Sequence, residues 1–202
     1  MVVPRIDVPV GPWAPETLPG GGAPVVVLDG LLCRDAQLTD RTSTQLLGPG
    51  DIVDPWLTGD ELLPCRISWR AHTSAVLALL DARFAQAARR WPALSAAVTR
   101  RLCERVDRLA AQGAALQLSN VDQRLVAHLW QLADRFGRVT QGGVVIPLQL
   151  THQLLGQLVG AQRPTVTLAA TKLAESGHVI RRDDGTWFLA DSSRDVLSPA
   201  HG

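Results

Sequence analysis

The chain holds only three cysteines, Cys33, Cys65 and Cys103, far apart and odd in number. No CxxC pair occurs, so neither a disulfide framework nor a zinc finger is expected, and reduced, buried thiols in a cytoplasmic protein are. Three thiols also fall short of the four an all-cysteine iron–sulfur cluster needs. No run approaches the roughly 18 consecutive apolar residues that cross a bilayer. The N-terminus lacks the charged start, apolar stretch and cleavage site of a secretion signal. No membrane partner is therefore expected. There is no nucleophile elbow, no HExxH and no phosphate-binding loop, and with them goes the expectation of an enzyme. Lysine is nearly missing: of 20 basic residues, 19 are arginine and one is Lys172. Set against 19 acidic residues, the net charge is +1, which by itself implies no polyanion partner.

What is present suffices for a real core. The 202 residues are 46% hydrophobic and 19% charged, enough for one large domain or two small ones. Residues 1–24 contain six prolines and four glycines, which reads as an extended lead-in that Trp13 can dock locally. Residues 25–90 open β-rich. Val25-Val26-Val27-Leu28 ends at the turn pair Asp29-Gly30, Gln45-Leu46-Leu47 runs into Gly48-Pro49-Gly50-Asp51, and Arg66 to Arg70 alternates polar with apolar. Residues 81–90 read as a short helix.

Helical periodicity then takes over across residues 91–119. Pro92 suits the first turn of a long helix. Its apolar positions are Leu94, Val98, Leu102, Val106, Leu109, Gly113 and Leu116, spaced 4-3-4-3 from Leu102 onward, the seam of a coiled coil. Arg100, Arg101, Arg105 and Arg108 lie mostly off that seam. The length favours a dimer over an intramolecular core helix, with Leu94, Val98, Leu102, Val106, Leu109 and Leu116 at the interface.

Residues 120–190 form a separate unit, followed by a tail at 191–202. Asn120 can cap a helix running to about Phe136, residues 137–143 read as a loop, and Val144-Val145-Ile146 as a strand. Thr151 caps a helix to Val159, and Gly160-Ala161 turns the chain. A second helix begins near Gln162-Arg163-Pro164, and Gly177 stops it. A hairpin follows, turning at Asp183-Asp184-Gly185; that acidic pair reads as a turn, not as an acid/base couple. Helix, tight turn, helix and hairpin is the plan of a winged helix-turn-helix. In that plan the second helix enters the major groove of duplex DNA with its N-terminal residues on base edges. Arg163 can then take guanine O6 and N7, Gln162 an adenine, and Thr165, Val166 and Thr167 can offer methyl or hydroxyl groups. Thr151 and Gln153 sit at a helix start that favours a phosphate, and Arg181 and Arg182 on the hairpin would meet the backbone. The alternative is a ligand- or protein-binding module whose winged helix docks protein. The local charge of +2 and Leu168 lean that way.

The stretch from Leu150 through Thr167, followed by Leu173-Ala174-Glu175-Ser176-Gly177, resembles the DNA-binding signature of the Crp/Fnr transcription regulators, in which Gly-x-x-Arg-x-Thr-Val opens the recognition helix. Arg163-Pro164-Thr165-Val166 and Asp183 to Trp187 are most similar to actinobacterial members. Trp91 to Leu102 resembles the start of the family's dimerisation helix, and the Asp29-Gly30 and Gly48 to Asp51 turns resemble those of its β-roll. The resemblance implies an α+β fold: a partial N-terminal β-roll, a long dimerisation helix and a C-terminal winged helix-turn-helix. It further implies a homodimer on a pseudo-palindromic DNA site, and RNA polymerase as a further partner.

Two departures qualify it. The family's second arginine, five positions after the first, is here Leu168, and the acidic residue after the first is Pro164. The cyclic-nucleotide cassette is also unrecognisable. Pro64-Cys65 stands where an Arg-Ser pair would hold the phosphate, and Asp54, Asp60 and Glu61 would repel one. Cyclic AMP is therefore not the expected effector, and no effector is assigned. His152, His178, Cys33 and Cys103 read as ordinary core or surface residues. A haem on Cys65 or His72 is the remaining metal alternative, and no metal or cofactor is expected.

Overall fold

The computed structural model describes residues 3–17, 22–56 and 64–198. The chain divides into two compact units, Met1–Asp107 and Arg108–Gly202.

Among the described residues of the first unit, eight strands build two four-stranded antiparallel sheets. One runs β1 (Arg5–Val8), β8 (Ala75–Leu79), β3 (Val25–Asp29), β6 (Ile52–Val53); the other runs β2 (Gly11–Trp13), β7 (Arg66–Ala71), β4 (Leu32–Leu38), β5 (Arg41–Leu47). The alternation read in the sequence is real: Trp69 and Ala71 are buried while Arg66 and Ser68 are exposed. Val25, Val27, Leu32, Leu47, Val53 and Leu77 pack with Trp69 into one core.

The lead-in is a correction. Arg5–Val8 and Gly11–Trp13, within the stretch expected to be merely extended, are paired strands, so the roll is fuller than the sequence suggested. The physical reason is position. Both strands lie at sheet edges, where proline is tolerated because one row of N–H groups needs no partner. Pro12 sits opposite Arg70, and the Pro4 carbonyl accepts from Leu79 N at 3.0 Å. Trp13 does dock, edge-on to Trp69 with centroids 5.7 Å apart. Residues 1–2 and 18–21 of that stretch lie outside the described residues, as do Asp60 and Glu61.

The acidic residues near the unrecognised cassette have structural tasks. Asp51 is buried and its Oδ2 accepts from Gly48 N at 2.9 Å, closing the turn in which Gly50 adopts φ 87°. Asp54 Oδ1 accepts from Trp56 N at 3.1 Å. Cys33 is fully buried, and burial pushes its thiol up to about 12, against a smaller opposing pull from Arg70. Such a thiol stays protonated and packs as a small hydrophobe.

Helix α1 (Ala82–Arg90) starts at Asp81, whose carboxylate accepts from Arg83 N and Phe84 N. Helix α2 (Pro92–Leu116) begins with its proline as expected, spans 25 residues and buries none of them. Arg105 of α2 donates to the Ile52 carbonyl at 3.0 Å and to Gln45 Oε1 at 3.1 Å.

The described residues of the second unit include three further helices and a four-stranded sheet. Helix α3 (Val121–Phe136) is capped by Asn120, which accepts from Asp122 N. The sheet runs β11 (Val179–Arg181), β12 (Trp187–Ala190), β10 (Gly143–Ile146), β9 (Arg138–Thr140). Strand β9 corrects the loop reading of residues 137–143: Gly142, at φ 79°, reverses the chain so that Arg138–Thr140 pairs with β10. The tail is corrected too. Asp191–Leu197 is a 3-10 turn fastened to α3. Trp130 Nε1 donates to the buried Ser193 Oγ at 2.9 Å, Arg194 lies 4.2 Å over the Trp130 ring, and Gln123 donates to the Val196 carbonyl. Residues 199–202 lie outside the described residues.

Candidate nucleic-acid interface

Helix α4 (His152–Val159) begins where Thr151 Oγ1 accepts from Leu154 N at 3.1 Å. It ends at Gly160 in the left-handed region, φ 65°. Helix α5 (Arg163–Glu175) follows α4 after three residues, with Pro164 in its first turn, where a missing N–H costs nothing. The two helices meet at Gly156. A Cβ there would lie 2.6 Å from the Ala161 carbonyl oxygen, and the Ala161 N–H donates to the Gly156 carbonyl. Only glycine permits this close approach, which sets the angle between the helices.

Helix α5 has two distinct faces. Val166, Ala169, Ala170 and Leu173, spaced three and four apart, are buried. Arg163, Pro164, Thr165, Thr167, Leu168, Thr171 and Lys172 are exposed. Val166 is therefore a core residue at 0% exposure and not a base-contacting one. The first-turn methyl expected to touch a thymine faces inward, because the 3.6-residue period turns that position toward α3 and α4. The other expected DNA-contacting residues, Thr151, Gln153, Gln162, Arg163, Thr165, Thr167, Arg181 and Arg182, are all exposed. Gln162 caps nothing with its side chain, whereas the Thr151 hydroxyl is taken by its cap.

His152 is the residue that sequence reasoning missed. Its Nδ1 lies 2.9 Å from Thr167 Oγ1, and that hydroxyl donates to the Arg163 carbonyl at 3.0 Å. The imidazole nitrogen therefore serves as the donor. Its ring tilts against buried Trp187, centroids 5.8 Å apart. Burial first, then the charges of Arg181 and Arg163, hold His152 below the ordinary imidazole pKa. The charges of the helix start and of the hairpin thus both act on one ring. A polar residue directly after the Thr151 cap was the only signal in the sequence. A separation of fifteen residues becomes a contact only through the Gly160 turn.

The hairpin between β11 and β12 closes as expected. Arg182 N donates to the Thr186 carbonyl, and Gly185, at φ 80°, donates to the Arg182 carbonyl. Asp184 accepts from both the Thr186 hydroxyl and its N–H, and these bonds lower its pKa. It serves as a turn carboxylate, as expected from the sequence. Among the described residues no group of three or more His, Cys, Asp or Glu can hold a metal ion, and no helix is long and apolar enough to cross a membrane.

On α2, the seam residues Leu102, Val106, Leu109 and Leu116 are exposed, Val106 at 63%, while Leu94 and Val98 are half-buried.

Residues 123–193 match the family model of the Crp-like helix-turn-helix domain. Over 103 residues the chain is 35% identical to the CRP-like cAMP-activated global transcriptional regulators of two Mycobacterium tuberculosis strains. That match covers 51% of this chain and 46% of each relative, so the chain spans about half the length of the curated relatives it matches. Among solved structures, a CooA variant from Carboxydothermus hydrogenoformans is similar at a TM-score of 0.75 and 20% identity, covering 97% of this chain and 88% of that one. FixK2 from Bradyrhizobium japonicum is similar at 0.73 and 16%, covering all of both chains. A CRP/FNR-family transcriptional regulator from Thermus thermophilus is similar at 0.60 and 25%, covering 98% of this chain and all of that one. Residues 123–193 thus form a Crp-like helix-turn-helix domain, in a chain that has the fold of the CRP/FNR-family regulators.

Proposed function

We propose that the chain is a homodimeric, sequence-specific DNA-binding transcription regulator of the cytoplasm, not an enzyme. The carrying observation is the exposed start of α5, where Arg163 and Thr165 face solvent, together with the exposed Arg181 and Arg182 of the hairpin. A helix N-terminus with an exposed guanidinium is what the major groove admits to guanine. Arg181 and Arg182 serve the sugar-phosphate backbone. RNA polymerase is the partner through which such a regulator would act. Exposed Leu168 favours a second reading, a winged helix that docks protein.

Arg163→Ala should cost about 1–3 kcal/mol on the cognate duplex and relax specificity at one base pair. Arg181→Ala and Arg182→Ala should weaken binding to all duplexes alike and lower the salt slope by about one for each phosphate no longer held. Titrations of specific and random duplexes at several salt concentrations separate the two behaviours. Equal weakening of both duplexes by Arg163→Ala makes it a phosphate clamp instead.

The effector of this chain is not cyclic AMP. Pro64-Cys65 offers no guanidinium-hydroxyl pair to a cyclic phosphate, and Asp51 and Asp54 hold turns nearby. Titration calorimetry should find no micromolar affinity for cyclic AMP or cyclic GMP; a measured micromolar affinity overturns this reading.

A further inference from the structure

We infer that Leu168 reads the 5-methyl group of a thymine in the major groove, giving this chain a carbon-based base contact in the second turn of its recognition helix. The inference rests on the DNA-reading function proposed above and says which bases that function selects.

Beyond its first turn, the exposed face of α5 has few polar groups left to offer a base, because they are already engaged inside the protein. The Thr167 hydroxyl donates to the Arg163 carbonyl and faces His152 Nδ1. The Thr171 hydroxyl donates to the Thr167 carbonyl at 3.0 Å. Lys172 Nζ is ion-paired with Asp122 Oδ2 at 2.5 Å, and that carboxylate is only 14% exposed. The two hydroxyls have thus spent their only donor hydrogens inside the protein, and the ammonium is drawn toward Asp122. Leu168 stands among them at 72% exposure, the most exposed large apolar side chain on this helix. Val166, the other branched aliphatic side chain at this end of α5, is wholly buried and out of reach.

The occupant follows from charge. Arg163 is exposed in the first turn of the same helix, five residues before Leu168, so what covers this face meets a positive charge close to an apolar spot. The major groove of duplex DNA complements that combination: phosphates flank it, and the thymine methyl is its apolar feature. A leucine makes no hydrogen bond, so it cannot tell guanine from adenine. It does discriminate a pyrimidine that carries a 5-methyl from one that does not.

The experiment uses the full chain and duplexes selected from a random-sequence library by binding to it at physiological salt. Each thymine of a selected duplex is replaced in turn by deoxyuridine, which pairs identically and lacks only the methyl. At one position per half-site, affinity should fall roughly fourfold, the equivalent of one methyl group returned to water. Cytosine at that position should regain affinity when it is 5-methylated. In Leu168→Ala the deoxyuridine penalty should vanish while Arg163-dependent discrimination remains. Thermal unfolding of Leu168→Ala should match the parent, because the side chain is exposed. A selected duplex indifferent to every deoxyuridine replacement, or a penalty that persists in Leu168→Ala, overturns the inference and leaves DNA reading intact. Failure of the library to yield any preferred duplex overturns both, and a protein partner released by Leu168→Ala would then be the occupant.

Discussion

Val106→Glu combined with Leu109→Glu should convert the protein from a dimer to a monomer at micromolar concentration. Helix α2 runs 25 residues without burying one of them. A helix of that length is not held by propensity alone; it needs a partner along its apolar stripe. Leu102, Val106, Leu109 and Leu116 form such a stripe at heptad spacing, and all four are exposed in the single chain. Arg105, which could have disturbed the seam, is bonded to the Ile52 carbonyl and Gln45 instead. Gly113, also on the seam, has no atom within 4 Å of where its Cβ would be, so two backbones can approach there. In a parallel pair each leucine removed from water contributes about 1.5–3 kcal/mol. Paired glutamates at the same positions would bring like charges together in a drying interface. Because a two-fold dimer grips two half-sites about one helical turn apart, its loss should lower operator affinity by about two to four orders of magnitude. Light scattering checks the mass, and anisotropy titration checks the affinity. A parent protein that scatters as a monomer, or a double variant that remains dimeric, sinks the proposed seam.

Acidification should destabilise the second unit through His128 by about 3 kcal/mol between pH 6.5 and 4. His128 is buried on α3, and its Nε2 has no hydrogen-bond partner. Burial pushes its pKa from 6.5 down to about 4. The unfolded chain therefore takes up a proton near pH 6.5, while the folded chain resists until about pH 4. Between those values the unfolded state binds more protons. Stability is whole above the higher value and declines as the pH falls toward the lower one. Denaturant midpoints at pH 7, 5.5 and 4.5 for the parent and His128→Leu measure the effect. Leucine suits a helix that already buries Leu125, Leu129 and Leu132, and it carries no proton. Carboxylates titrate in both proteins, and their contribution cancels in the comparison. Equal losses in the two proteins would mean that the imidazole is not the acid-sensitive group.

The parts of this chain that could be read directly are those whose causes lie within a few residues. Asn120 and Thr151 cap helices because a side-chain oxygen reaches an N–H two or three residues on. Gly160 and Gly185 turn the chain because they alone take a positive φ cheaply. The heptad from Leu102 to Leu116 is written in the spacing itself. Arg163 at the start of α5 was likewise visible, since Pro164 marks the first turn.

Other features waited for tertiary contacts. The Pro-rich start became strands because β7 and β8, about sixty residues away, supplied carbonyls and amides along sheet edges. The tail acquired structure from Trp130, some sixty residues before it. Val166 turned inward and Leu168 outward because packing against α3 and α4 set the rotation of a short helix rich in alanine and threonine, whose own pattern marks its faces weakly. His152 came against Thr167 and Trp187 for the same reason. Helices, caps, turns and the apolar seam thus follow from the order of residues alone, since neighbouring backbone and side-chain groups govern them. Which prolines pair, which side of α5 faces solvent and which charges share a ring are settled by packing, because each depends on groups the chain brings together from far apart.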